Sequence, residues 1–180
     1  MLPAPSSDRV VRGFHGTLRD RAHQIVKLQR IEPSGNPYDW LGHGAYFWEE
    51  SYERARQWAE RKYAEEATVI SAEVRLGRCI NLFDASWASV LNRAHEDLRN
   101  RYANVGQPMP QNRGGRRELD CAIINYVTQY LYQADTIRAA YLEGEAIYPT
   151  SLFVGLAHIQ LVVRNPNAIV GRYEMEEGRG

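Results

Sequence analysis

Apolar side chains along the chain change between two spacings, one typical of strands and one typical of helices. Alternating or β-branched stretches predict strands at residues 9–14, 45–48, 68–76 and 157–163. Helical spacing predicts helices at residues 18–28, 87–102 and 119–139, and a further helix that Ser51 caps. Because strands and helices mix without a regular strand–helix–strand rhythm, we expect an α+β fold with a mainly antiparallel sheet.

Glycine- and proline-rich stretches separate these elements. Residues 32–44, 106–117 and 144–155 are predicted loops. Gly77 is expected to end the third strand, and the tail from residue 174 to 180 is expected to fray. The second loop contains Arg113, Arg116 and Arg117. We expect these arginines to be solvated, and the alternative is that they contact a phosphate group.

Length and composition are those of one globular domain. The chain has 180 residues, 44% hydrophobic and 24% charged, so we expect a single domain over residues 1–180. Its 22 basic and 22 acidic residues cancel, which argues against wholesale binding to nucleic acid or anionic lipid. The sequence has neither a membrane-length apolar run nor a targeting pattern, so we expect a cytoplasmic protein without a membrane partner.

Several common kinds of site are missing from the sequence. It has no glycine-rich dinucleotide or phosphate loop, no nucleophile elbow and no zinc-protease helix motif. Cys79 and Cys121 are too sparse for a disulfide scaffold, and the five histidines show no ligand spacing. We therefore expect no metal site.

Two short strings stand out instead. HGT, at residues 15–17, ends the first predicted strand, and GAYF, at residues 44–47, leads into the second. A histidine followed by glycine presents an imidazole and an unobstructed backbone to one small volume. An aromatic ring approached through glycines can stack on a flat ligand. The combination suits a nicotinamide riboside.

In this order the strings resemble the histidine–tyrosine–glutamate branch of the ADP-ribosyltransferase superfamily, shared by poly(ADP-ribose) polymerases and diphtheria-like toxins. That branch carries HG[ST], then GxYF, then a helix that begins with serine, and a late strand with a third site residue. The counterparts here are residues 15–17, residues 44–47, Ser51 and the strand at residues 157–163, and residues 70–77 resemble the family's central strand. The resemblance implies a split, mainly antiparallel sheet flanked by helices, with NAD as co-substrate.

The resemblance also implies a role for each matched residue. His15 would bond the 2′-hydroxyl of a ribose of NAD, and Gly16 would bond the nicotinamide amide through its backbone. Tyr46 would stack on the nicotinamide ring, and Ser51 could bond the amide. The candidate NAD-binding residues in and beside these strings are His15, Gly16, Thr17, Tyr46, Phe47 and Ser51.

Two further contacts with NAD are expected. The segment at residues 36–41, with Asn36 in the candidate binding set, could form a lid over the adenosine half, where Tyr38 or Trp40 would stack. The family often has a second stacking aromatic shortly after the serine, and this chain has Arg54 there. The residues that would have to serve instead are Tyr52 or Trp58.

The third family position departs from the pattern. Alignment of the last strand places Gln160 where chain-elongating members have glutamate. An amide can bond a ribose hydroxyl but cannot act as a base, so we do not expect polymer elongation. A base could come from Glu143 or Glu145 in the preceding loop, or from the acceptor, and His158 shares a strand face with Gln160. The candidate catalytic residues are His15, Tyr46, Gln160 and Glu145.

We therefore expect a mono-ADP-ribosyltransferase that moves one ADP-ribose unit from NAD to a macromolecular acceptor, protein or nucleic acid. A bacterial or phage effector with a neutralising antitoxin partner is a setting that fits. An NAD glycohydrolase and a non-catalytic module that binds NAD or ADP-ribose remain alternatives. The expected site requires the His15 imidazole and the Tyr46 ring to face one cleft.

Overall fold

The computed structural model describes residues 1–176 of the chain. The strands, in chain order, are β1 (Leu2–Pro3), β2 (Ser6–Leu18), β3 (Ala45–Glu49), β4 (Ala67–Asn81), β5 (Asn112–Arg113), β6 (Arg116–Arg117), β7 (Tyr132–Gln133), β8 (Thr136–Tyr141), β9 (His158–Val163) and β10 (Glu174–Met175). The helices are α1 (Arg19–Leu28), α2 (Tyr52–Tyr63), α3 (Ser86–Asn104) and α4 (Glu118–Tyr126). Short helical turns lie at Ala64–Glu66, Val127–Leu131 and Pro166–Ala168.

The predicted α+β fold, with a mainly antiparallel sheet flanked by helices, is confirmed. In the part of the chain that the structure describes, the main sheet has the strand order β10-β4-β2-β3-β9-β8. The end of β4 also pairs in parallel with β8, Cys79 opposite Thr136 and Asn81 opposite Arg138. The sheet therefore curls until β8 and β4 meet.

Gly77 does not end the third predicted strand. β4 continues through this glycine to Asn81. Gly77 has a φ of 57°, and a Cβ atom there would lie 2.9 Å from the carboxylate of Asp135. Asp135 in turn bonds the backbone and side chain of Arg78. The glycine lets β4 bend against the residue that precedes β8, which brings the two strands together.

The predicted helix over residues 119–139 is too long. It ends at Tyr126, a π-helical turn follows, and Thr136–Tyr141 forms β8. The alternation of β8 is hidden in the sequence because Arg138, a charged residue, lies on a buried face. Its guanidinium donates to both carboxylate oxygens of Glu49, at 2.8 and 2.6 Å. In a pattern of hydrophobic and polar residues, a charged residue counts as polar even when an ion pair buries it. The pattern of β8 therefore does not indicate a strand.

The beginning of the tail is ordered, contrary to the prediction that it frays. Glu174 and Met175 form β10 and pair with Ser71 and Ile70 of β4. The expected fraying of the last residues concerns residues 177–180, which lie outside the described residues.

Helices cover both faces of the sheet. The first face, which carries Val11, Phe47 and Leu161, packs against Ala22 and Ile25 of α1. The second face packs against α2 on one side and against α3 and α4 on the other. Because side chains alternate along each strand, this division decides which residues can share a site.

Gly16 lies where α2 crosses β2. A Cβ atom at Gly16 would lie 2.4 Å from the backbone oxygen of Ala55 and 2.9 Å from Ala59 Cβ. We expect Gly16→Ala to lower the free energy of unfolding by about 1–3 kcal/mol, because the backbone of Ala55 cannot move away from the added methyl group without displacing α2. Gly35→Ala is the control, since nothing lies within 4 Å of its added Cβ. Chemical denaturation in which both variants match the wild type would contradict this packing.

Candidate active site

His15 and Tyr46 do not face one cleft. The register of β2 on β3 pairs Phe14 with Trp48, which places His15 beside Phe47 on the first face and the Tyr46 ring on the second. The two residues meet through the backbone instead: His15 Nδ1 donates to the Tyr46 carbonyl at 2.8 Å. The expectation of a shared cleft is therefore wrong.

The Tyr46 ring is held by the protein itself. Its hydroxyl donates to the Gly42 carbonyl at 2.8 Å and accepts from the Leu41 N–H at 3.1 Å. Burial raises the pKa of the Tyr46 phenol above its usual range. The ring is half-buried against the core of the second face, and its bonded hydroxyl supports the entry to β3.

The ladder between β2 and β3 opens at His15. Phe14, which pairs with Trp48, directs its backbone groups towards β3. Gly16 also directs its backbone N–H and C=O towards β3, but on β3 the Tyr46 carbonyl is bonded by the His15 side chain. The backbone ladder between the two strands is therefore interrupted at Gly16. Because α2 covers the face of Gly16 that was expected to admit a ligand, the backbone edge of Gly16 is the part that remains for a ligand.

Other predicted site residues lie away from the pocket described below. Thr17 and Phe47 are buried, with 1% and 0% of their surface exposed. Asn36 is held by hydrogen bonds inside its own loop. Ser51 precedes α2 without capping it through its side chain, and Glu145 is exposed. None of these residues lines the pocket.

A pocket of about 420 Å³ opens on the second face, between β3, β9, α2 and the β5–β6 hairpin. We call it the aromatic pocket, because the aromatic residues that line it are Tyr38, Trp40, Trp48, Trp58 and Tyr141. The ring centroids of Trp48 and Trp58 are 5.4 Å apart, and those of Trp40 and Tyr141 are 5.1 Å apart. The volume is within the range of small-molecule sites, and the rings suit a planar ligand.

The polar lining of the aromatic pocket has three cations, one carboxylate, one histidine and one amide: Arg61, Lys62, Arg117, Glu143, His158 and Gln160. The Glu143 carboxylate accepts from Arg54 at 2.7 Å and from Arg61 at 3.4 Å. The Lys62 ammonium lies 4.6 Å from the centre of the Trp58 ring. Within residues 1–176, Lys62 and Arg117 have no carboxylate partner, so both charges are available to an anion.

Gln160 lines the aromatic pocket, and its amide has one end occupied. The indole N–H of Trp40 donates to Gln160 Oε1. The amide nitrogen and the second lone pair of the oxygen therefore remain for a ligand. The nitrogen can donate to a ribose oxygen, but it cannot accept a proton.

His158 lies beside Gln160 on β9. Its Nδ1 is 2.9 Å from the Leu156 carbonyl, and a carbonyl only accepts, so Nδ1 carries the hydrogen. Burial lowers the pKa of His158, and the charge of Arg54 lowers it further, against the opposing bond to Leu156. Burial also lowers the pKa of His15. Both imidazoles are therefore neutral near pH 7.

The pocket unites only part of the predicted site. Tyr38, Trp40 and Gln160 line it. Four residues that the sequence offers as alternatives also line it: Trp58, Arg117, Glu143 and His158. The residues that the sequence reasoning missed are Trp48, Arg61, Lys62, Gly115 and Tyr141. Trp48 follows the GAYF string and could have been found, since it shares a strand face with Tyr46. Tyr141 could not, because β8 was not predicted.

Comparisons with known proteins assign no family to the chain. We compared the chain with models of protein families, with curated proteins and with solved structures, and none of them matches. Among residues 1–176, no group of three or more His, Cys, Asp or Glu side chains could hold a metal ion. No helix in that range is long and apolar enough to cross a membrane.

Proposed function

We propose that the protein binds NAD in the aromatic pocket and transfers one ADP-ribose unit to a macromolecular acceptor. The observation that carries the proposal is the pocket itself, which joins aromatic rings, two cations without a carboxylate partner among residues 1–176, and Gln160 at the third family position. The proposal keeps the expected chemistry and moves the expected site from the Tyr46 ring to the wall formed by β3 and β9.

The lining suits the parts of a dinucleotide. Its aromatic faces match the nicotinamide and adenine rings, since stacked or tilted ring pairs are favourable. Lys62 and Arg117 match the pyrophosphate, because both cations lack a carboxylate partner in the described range.

Gln160 fits single transfer. The C1′–N bond of NAD breaks, nicotinamide leaves with the electron pair, and the acceptor oxygen or nitrogen bonds C1′ and loses a proton. Because nicotinamide is a good leaving group, orientation of the ribose supplies much of the rate. The free N–H groups of Gln160 can orient a ribose oxygen, and the absence of a carboxylate at this position disfavours chain elongation.

Binding without turnover is a second candidate function, and one contact favours it. Trp40 occupies one of the two lone pairs of the Gln160 oxygen, which weakens Gln160 as an acceptor for a ribose hydroxyl. A module that holds NAD or ADP-ribose would need only the rings and the cations of the aromatic pocket.

Incubation of the purified protein with NAD labelled in its adenosine half, in a cell extract, separates the candidates. Label on macromolecules together with free nicotinamide is the expected result. Free ADP-ribose and nicotinamide alone would indicate a glycohydrolase. Binding of NAD with no nicotinamide released would favour the second candidate, and no binding would contradict both.

Gln160→Glu provides the matched variant. One carboxylate oxygen can still accept from Trp40, so we expect NAD affinity to stay within about threefold of wild type while nicotinamide release rises about tenfold or more. Gln160→Ala should lower the release rate. Unchanged rates in both variants would show that Gln160 does not contact the reacting ribose.

A further inference from the structure

Two buried polar atoms in the aromatic pocket lack a partner. Among residues 1–176, the buried side-chain nitrogen and oxygen atoms without a hydrogen bond are Trp48 Nε1 and His158 Nε2. Buried polar groups nearly always have partners, so each such exception calls for an explanation. Both residues line the aromatic pocket, on neighbouring strands, with ring centroids 6.2 Å apart.

The two atoms are complementary. An indole nitrogen only donates, so Trp48 Nε1 presents a hydrogen. His158 Nδ1 gives its hydrogen to the Leu156 carbonyl, so Nε2 presents a lone pair. The wall of the pocket thus contains one donor and one acceptor, both buried. Because both residues line the pocket, we expect a partner to reach the two atoms from that side.

A hydroxyl group satisfies such a pair. Its oxygen can accept from Trp48 Nε1 while its hydrogen is donated to His158 Nε2. A carboxylate cannot donate, and an ammonium cannot accept, so neither matches both atoms. Water or an alcohol matches both atoms through a single oxygen, whereas a carboxamide matches them only through two separate atoms.

The groups around His158 keep its lone pair available. Arg54, on α2, has its Nε 3.5 Å from His158 Nδ1, and its positive charge opposes protonation of the ring. The ring of Tyr141, on β8, packs with its centroid 5.3 Å away. Glu143, after β8, acts in the opposite direction, but its carboxylate is bound by Arg54.

We infer that His158 is the general base of the proposed reaction and that Trp48 positions the hydroxyl group that attacks. The inference rests on the proposed function and assigns the role that Gln160 cannot fill. The hydroxyl proton moves to His158 Nε2, the oxygen lone pair forms the bond to C1′ of the ribose, and the electrons of the C1′–N bond leave with nicotinamide. The acceptor class is an alcohol, on a side chain or a sugar, or water in its place.

The test compares His158→Gln with His43→Gln, a change at an exposed loop histidine outside the pocket. Nicotinamide release at saturating NAD is measured from pH 5 to 8, and NAD affinity is measured separately. We expect His158→Gln to lower kcat about 100-fold or more, to abolish the loss of rate towards low pH, and to leave affinity within about threefold. His43→Gln should behave as wild type.

Trp48→Phe gives a second reading, because it keeps a ring and removes the donor. We expect kcat to fall about three- to tenfold, the usual effect of one neutral hydrogen bond. Turnover that survives His158→Gln with an unchanged pH profile would overturn this inference alone. Wild-type protein that binds NAD and releases no nicotinamide would overturn the proposed function as well.

Discussion

Arg138→Met should lower the free energy of unfolding by about 3–5 kcal/mol, the usual cost of breaking a buried ion pair from one side. The side chains of Arg138 and Glu49 are 9% and 1% exposed, and they are bonded at two points. After the substitution, the nearest cation to Glu49 is Arg9 at 3.5 Å, on a side chain that is 57% exposed. Much of the total stability of a small domain would be lost.

A double variant separates the buried charge from packing. Glu49→Leu combined with Arg138→Met removes both charges, and we expect it to recover most of the lost stability. Chemical denaturation of the two variants and the wild type provides the comparison. A single variant within about 1 kcal/mol of wild type, or a double variant as unstable as the single, would show that the pair does not hold β8 to β3.

Lys62→Glu combined with Arg117→Glu should weaken NAD binding by about 100-fold or more. Each cation has no carboxylate partner in the described part of the chain and faces the aromatic pocket. A charge-assisted hydrogen bond contributes about 1.5–3 kcal/mol, and each reversed charge adds repulsion towards the pyrophosphate. Titration calorimetry measures the change.

Arg113→Glu is the matched control for this loss of affinity. Arg113 lies on the same hairpin as Arg117, is exposed and is not part of the pocket lining. We expect NAD affinity within about twofold of wild type, because a solvated charge is screened. Equal losses in the control and in the double variant would mean that the hairpin attracts NAD through its general charge, and that the pocket has no pyrophosphate subsite.

The sequence predicts the fold class because apolar residues recur at regular spacing wherever a strand or helix has one buried and one solvent-exposed face. It does not predict β8, because Arg138 is charged and yet buried. It does not predict the continuation of β4 either, because a glycine usually ends a strand, whereas Gly77 adopts a positive φ at which β4 bends and continues. Both failures come from tertiary partners, Glu49 and Asp135, that are distant along the chain.

Only part of the candidate site follows from the sequence. Gln160 and Tyr38 were named from their positions in strings and loops, and both line the aromatic pocket. His15 and Tyr46 were paired because their strings occur together, but the register between β2 and β3 decides which faces they share. Register depends on the whole sheet, so neither string contains that information.

Tryptophan side chains offer the most direct measurement of the central claim, that NAD binds in the aromatic pocket. The chain has four tryptophans. Trp40, Trp48 and Trp58 line the pocket, whereas Trp87, on α3, is buried beside the ring of Tyr132. In a proton–nitrogen correlation spectrum, we expect added NAD to shift the indole signals of the first three and to leave that of Trp87 in place. Saturating NAD that leaves all three pocket signals unmoved, or that moves Trp87 alone, would contradict the claim.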